Sequence, residues 1–392
     1  MKEESTSNTR TFPDGFLWGS STSAYQVEGG IENNDWAQAA REGKLPPCGR
    51  ACDHYNRFEE DFDLITKLSQ NAHRFSIEWA RIEPEEGKFD EGEIEHYRKV
   101  LQALKRRGII PFVNLWHFTQ PLWFSESGGF LRKDSAEIFA RYCRFVVERL
   151  GGEAKYWLTI NEPEIWAYNS FARGKWPPFG KNVIKLVRMM RALVRVHRAA
   201  YHAIKKLQPG AYVGVAKDNL YFDSSRNILM KPVEWFLSWA VNRWYLDSIE
   251  GHQDFIGLNH YFHIPLGWKP KPDVPRNDMG WEIYPESLFQ CLMELKRYNL
   301  PVYISENGIA DARDQYRESF IRDYLAATHR AMGEGVDVRG YFHWSLMDNY
   351  ELAEGFTKRF GLVAIDYATL GRTIRPSARV YEEICRTNSL SL

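Results

Sequence analysis

Eight short apolar runs, each followed by a segment of helical periodicity, succeed one another along the chain, and this alternation narrows its fold more than any other feature. The runs are FLWGSSTSAY (16–25), AHRFSIEW (72–79), IIPFVNLWHF (109–118), YWLTIN (156–161), AYVGVAKD (211–218), DFIGLNHY (254–261), PVYISEN (301–307) and VRGYFHWSLMD (338–348). Between them, Tyr55, Phe58, Phe62, Ile65 and Leu68 share one helical stripe, and a long amphipathic stretch over 183–207 stops at Pro209-Gly210. Further helices are predicted near 93–107, 134–149, 230–250, 286–298, 314–332 and 377–386. Strands separated by helices pair in parallel, and eight such units close into a (β/α)8 TIM barrel of the α/β class. Its 392 residues fit one such domain, and no repeat or linker divides them. The expected organisation is a disordered polar tail over 1–10 and a barrel over 11–388.

In a barrel of this kind the chemistry sits at the carboxyl ends of the strands. Polar and aromatic side chains therefore gain meaning if they gather at that height. Here they do: Gln26, Arg74, His117, Asn161 with Glu162, Asn259 with Tyr261, Glu306, Trp344 and Glu351 fall at or just past the eight runs. Each has a bland explanation alone, His117 as a satisfied core histidine and Arg74 as the partner of a buried acid. Glu306, closing the apolar rise YISE before an Asn-Gly turn, could be the first solvated residue of a loop. Their common level argues for a site instead.

Glu162 and Glu306 end the fourth and seventh runs, on opposite sides of a closed barrel, so their carboxyls can meet over its axis. Two facing carboxyls among Trp, Tyr, His, Gln and Asn suit glycoside hydrolysis, in which one acid protonates the departing oxygen and the other attacks or activates water. Those roles need different proton affinities. Arg74 is the cation placed to keep one carboxylate ionised, Tyr261 a donor to it, and Trp157 and Trp166 the apolar setting for the other.

The rest of the composition mostly excludes. Fifty-one basic residues balance 51 acidic ones with no long run of one sign, so neither nucleic acid nor a membrane is expected as a partner. Five cysteines in a long chain fit reduced thiols, the first ten residues lack an apolar stretch, and no run of 18 apolar residues occurs, so a cytoplasmic location is expected. Cys48, Cys52 and His54 form a C-x3-C-x-H cluster without a second matched pair, so no metal is expected, and no cofactor motif is present. Aromatic residues reach 15% with 14 Trp, a surplus that leans toward sugar stacking.

FPDGFLWGSSTSAYQVEGG (12–30), RFSIEWARIEP (74–84), TINEP (159–163), DFIGLNHY (254–261), ISENG (304–308) and WSLMDNYE with GFTKRFGLVAIDY (344–367) resemble the successive signatures of glycoside hydrolase family 1, the retaining β-glucosidases and β-galactosidases. The resemblance implies that Glu162 is the acid/base and Glu306 the nucleophile that forms a covalent glycosyl-enzyme. It implies that Gln26, His117, Asn161, Trp344 and Glu351 bind the hydroxyls of the terminal sugar, with Arg74, Asn259 and Tyr261 supporting the nucleophile, and that β-linked glycosides or oligosaccharides are the substrates. An acid at Glu351 favours an unphosphorylated sugar. The chain departs from the pattern at Leu352 and Phe118, where Trp is usual, and in a short segment over 219–253. From these departures a permissive or less efficient enzyme is expected, with transfer to other acceptors, or carbohydrate binding without cleavage, as the alternatives.

Overall fold

The structure is a computed structural model that describes residues 9–270 and 272–391. Eight parallel strands close a barrel: β1 (Leu17–Ser21), β2 (Ala72–Ser76), β3 (Ile110–Asn114), β4 (Tyr156–Asn161), β5 (Tyr212–Asp218), β6 (Phe255–Asn259), β7 (Val302–Asn307) and β8 (Val338–Trp344). Each pairs with its neighbours in sequence, and β8 returns to β1 with Gly340 opposite Leu17. The expected single (β/α)8 domain is the one observed.

The ring helices follow from amphipathic sequence. Helix Glu91–Arg106 buries Ile94, Tyr97, Val100, Leu101 and Leu104 along one stripe and is started by Asp90, whose carboxylate accepts from the N–H groups of Gly92 and Glu93. Helix Val183–Leu207 is capped in the same way by Asn182. In His54–Lys67 the predicted stripe is realised by Phe62 and Ile65, with Leu68 just beyond, while Tyr55 and Phe58 are half-buried. Inside the barrel, Leu17, Ala72, Phe112, Leu158, Ala216, Phe255, Tyr303 and Phe342 form a closed cluster, with Phe112 packed against Tyr303 and Phe342 at ring distances of 5.1 and 4.8 Å. No described helix is long and apolar enough to cross a membrane.

Residues 1–8 of the expected tail lie outside the described residues. Thr9 and Arg10, assigned to the tail, instead belong to a strand over Thr9–Thr11 that pairs antiparallel with Ser389–Ser391 and ties the two ends of the chain together. Several strands also end sooner than their apolar runs suggest. β1 stops at Ser21, and Gln26 lies on a helical turn over Ala24–Val27. β3 stops at Asn114, so His117 and Phe118 occupy the loop beyond, where Phe118 takes a positive φ of 71°. Apolarity continues past the last ladder bond because these loops fold back over the barrel mouth and are buried themselves.

Candidate active site

β7 and β4 carry the two carboxylates, and both strands are irregular where they do so. The pairing of β7 with β6 shifts register between Ile304 and Glu306, and that of β4 with β5 between Leu158 and Asn161. Such shifts re-aim side chains. Ser305 and Glu306, neighbours in sequence, therefore both turn into the site: the Ser305 hydroxyl donates to Asn259 Oδ1 at 2.7 Å, and Glu306 meets Arg74 and Tyr261. Gly308 is required two residues after Glu306, because a Cβ there would lie 1.8 Å from the carbonyl oxygen of Trp344. Glu162 sits in the left-handed region at φ 42°, an uncommon place for a residue with a Cβ. Its N–H donates to the Ala216 carbonyl, and Pro163 starts a helix immediately afterwards.

Glu306 is wrapped in donors. Arg74, fully buried, pairs through Nη1 with Oε1, and Tyr261 donates its hydroxyl to Oε2 at 2.6 Å. The other arm of Arg74 donates to Asn161 Oδ1 at 2.5 Å. Asn259 Nδ2 reaches both Asn161 Oδ1, at 3.2 Å, and Glu162 Oε1, at 2.7 Å. A continuous chain of polar contacts thus runs from Glu306 through Arg74, Asn161 and Asn259 to Glu162.

The two acids feel opposite fields. Burial, then the negative charge of Glu306, then Asp218 push the Glu162 carboxyl well above the usual carboxylate range, and the Asn259 hydrogen bond only partly offsets them. Glu162 is thereby held as an acid, whereas Glu306 has a guanidinium against it. The Glu351 carboxyl is raised from 4.5 to about 8 by burial and Glu306, with a hydrogen bond from Trp344 acting the other way. Its Oε2 is sealed from solvent and has no partner among the described residues, leaving a hydrogen-bonding position for a hydroxyl. His117 stacks on Trp344 at 5.9 Å with planes 11° apart. Burial and Arg74 lower its proton affinity well below the ordinary value, so the ring is neutral at pH 7.

Gln26 differs from the expectation in how it is used. Its amide donates to Asn349 Oδ1 and the Tyr350 carbonyl at 3.0 and 2.9 Å, and its oxygen accepts from Ser23 at 2.6 Å, so it also fixes the segment leading into Glu351. Trp157 corrects the sequence reading: its indole donates to Gln208, just past the end of helix Val183–Leu207 at the far end of the barrel, away from Glu162. Trp166 is buried one turn after Glu162 against Trp116. The Cys48, Cys52 and His54 cluster is dispersed in its bonding: the thiols donate to the Tyr25 and Asp348 carbonyls and His54 pairs with Asp61. Among the described residues no group of three His, Cys, Asp or Glu converges as metal ligands.

Sequence reasoning missed a buried ionic group beneath Glu162. Lys217 Nζ lies 2.9 Å from Glu164 Oε1, and the Asp218 N–H donates to the same oxygen at 2.9 Å. The signal was present as AKD at the end of an apolar strand, a place where charge is expensive. A cavity of about 410 Å³ opens between the loops after β3 and β4, lined by Asp35, Gln120, Trp166, Phe171 and Phe179 among others.

The sequence profile of glycosyl hydrolase family 1 matches residues 8–254 and 245–390. Beta-glucosidase A of Thermotoga maritima is 33% identical, the alignment covering 98% of this chain and 99% of that protein. The beta-galactosidase of Sulfolobus acidocaldarius is 32% identical over 97% and 96% of the two chains. Among solved structures, the beta-glycosidase from Pyrococcus horikoshii superposes with a TM-score of 0.91 at 37% identity, covering 97% of this chain and 96% of that one. The Thermotoga maritima beta-glucosidase in complex with deoxynojirimycin gives 0.90 at 31% identity, over 97% and 99%.

Proposed function

The chain belongs to glycosyl hydrolase family 1 and is a glycoside hydrolase, and from that premise we propose that it removes terminal β-D-glucosyl residues, with galactosyl and fucosyl as further substrates, by double displacement on Glu306. The observation that carries this reading is the asymmetry of the two acids: Glu306 faces Arg74 and Tyr261, while Glu162 is enclosed and holds its proton. The Glu306 carboxylate attacks the anomeric carbon as the bond to the aglycone oxygen breaks, and Glu162 gives that oxygen its proton. Glu162, now ionised, takes a proton from a water whose oxygen displaces Glu306 from the sugar. Two inversions leave the β-configuration, Glu306 ionised and Glu162 protonated. As charge leaves Glu306 in the first step, Arg74 and Tyr261 lose part of their partner and regain it in the second.

Gln26, His117, Asn161, Trp344 and Glu351 hold the terminal sugar in this reading, and the unpartnered Glu351 Oε2 supports it. Leu352 and Phe118 place hydrocarbon where related chains carry an indole N–H, which favours tolerance of more than one sugar epimer. Rates on nitrophenyl β-glucoside, galactoside, fucoside and mannoside test that tolerance, and a strict preference for one sugar contradicts it. The acid role is tested with Glu162→Gln. Substrates with poor leaving groups lose about 10²–10⁴-fold in first-step rate, dinitrophenyl glycosides lose little, and an equal loss on both refutes the assignment.

A further inference from the structure

We propose that the outer face built by helix Val183–Leu207 and the segment Ile228–Arg243 docks on an anionic lipid bilayer, beside the mouth of the site. Ile228 is 77% exposed, Leu229 80%, Trp235 64% and Phe236 54%, and on the neighbouring helix Ile184 is 73% exposed. Large apolar side chains at that exposure, grouped on adjacent elements, mark an interaction surface. The short helix Trp244–Ser248, which continues the segment Ile228–Arg243, runs beside helix Val183–Leu207. The Tyr245 hydroxyl donates to the Leu193 carbonyl, and Arg198 donates to that of Ser248. Trp235 and Phe236 lie near the start of the one element and Val183 and Ile184 at the start of the other, and ring helices start at the same end of a barrel.

Charge selects the occupant. Between Glu164 and Asp218 the chain has eleven Lys or Arg and no Asp or Glu. Ile184, Val187, Arg188, Arg191 and Arg195 follow one another along the exposed stripe of the helix, so the outward face begins apolar and continues basic. Among the described residues, Arg188, Arg191 and Arg195 have no ion-pair partner. The one acid on the adjoining segment, Glu234, is engaged by Lys231, and Glu294 of the helix Glu286–Leu295 is engaged by Arg243 and Asn242. A second copy of the chain, meeting this face across a two-fold axis, would set one arginine row against another. A bilayer of anionic lipid supplies negative headgroups for the arginines and apolar depth for Trp235, Phe236, Ile228 and Leu229, and Trp is a side chain of membrane interfaces. The overall charge balance conceals this segregation.

The face also lies at the catalytic end. Ring helices begin where the strands end, and Lys185 and Met189 of this helix line the cavity that contains Trp166. Docking would therefore present the approach to Glu162 and Glu306 to glycosides carried in the lipid surface. The inference does not depend on the catalytic roles, because its test reads binding.

The full chain is floated with phosphatidylcholine vesicles, with and without phosphatidylglycerol, at low and high salt. Flotation with phosphatidylglycerol only, reversed by salt, is expected. The double variant Trp235→Glu, Phe236→Glu and the pair Arg188→Glu, Arg191→Glu should each weaken it at least about tenfold, with hydrolysis of a soluble aryl glucoside unchanged as evidence of folding. Three results would overturn the proposal: no flotation with phosphatidylglycerol, flotation equal on neutral vesicles, or variants that float like the parent. Sedimentation without vesicles completes the test. A dimer that the Trp235→Glu, Phe236→Glu change dissociates would assign the face to a second copy and also overturn it.

Discussion

The inside of the barrel is built twice, in two layers a few residues apart on the same strands. The lower layer, Leu17, Ala72, Phe112, Leu158, Ala216, Phe255, Tyr303 and Phe342, is interlocked and apolar apart from one phenol. The upper layer, Arg74, Asn161, Glu162, Asn259, Ser305 and Glu306, is equally buried and almost wholly polar. Ala72 belongs to the first and Arg74, two residues on and facing the same way, to the second. Below, burial stabilises through contact and removal of apolar surface. Above, burial raises Glu162 and Glu351 and leaves Arg74 Nε, Asp218 Oδ1 and Glu351 Oε2 without partners. One scaffold therefore spends its rigidity on stability at one level and on oriented polar groups, some of them unpaired, at the other.

That contrast predicts opposite responses to substitution. Glu306→Gln should lower turnover by at least about 10⁴-fold with a melting temperature no lower than the parent's, measured by single-turnover kinetics and calorimetry. A variant that loses activity only because it unfolds would erase the distinction. Phe112→Ala reverses the pattern: about 3–5 kcal/mol of stability is lost through the cavity it leaves, while kcat/KM below the new transition stays within a few-fold. Tyr261→Phe removes one hydrogen bond to Glu306 and should cost about 1.5–3 kcal/mol of transition-state stabilisation, roughly 10–100-fold in rate, with stability little changed.

The smallest effect carries a pH signature. The Glu351 carboxyl is raised from 4.5 to about 8 on folding, so the folded chain keeps a proton that the unfolded chain releases across that window. Stability is thus lost as pH rises from about 4.5 to about 8. Glu351→Gln cannot ionise, and its melting advantage should be near zero at pH 4 and grow steadily as pH rises toward 8, while sugar affinity falls. A constant offset at every pH would show that Glu351 is not the group responsible.

The lower layer and the element order were legible because period and apolarity specify them, and all eight barrel strands lie within their apolar runs. The two glutamates were legible as acids that end such runs. What the sequence hid depends on geometry between strands. The register shifts before Asn161 and Glu306 are invisible without the partner strand, and so is the use of Gln26 to hold Asn349 and Tyr350. Trp157 was misplaced because nearness in sequence to Glu162 says nothing about which end of the barrel an indole reaches. Total charge, an average over the chain, hid the basic helix face for the same reason: position was missing.

The central claim is that Glu306 alone becomes covalently bound to the sugar. Incubation with a 2-deoxy-2-fluoro-β-glucoside carrying a good leaving group slows the second displacement and lets the glycosyl-enzyme accumulate for peptide mass spectrometry. The account predicts one sugar per chain, attached to the peptide containing Ser305-Glu306-Asn307 and absent in Glu306→Gln. A label on Glu162, or none under conditions where the substrate is turned over, would contradict it.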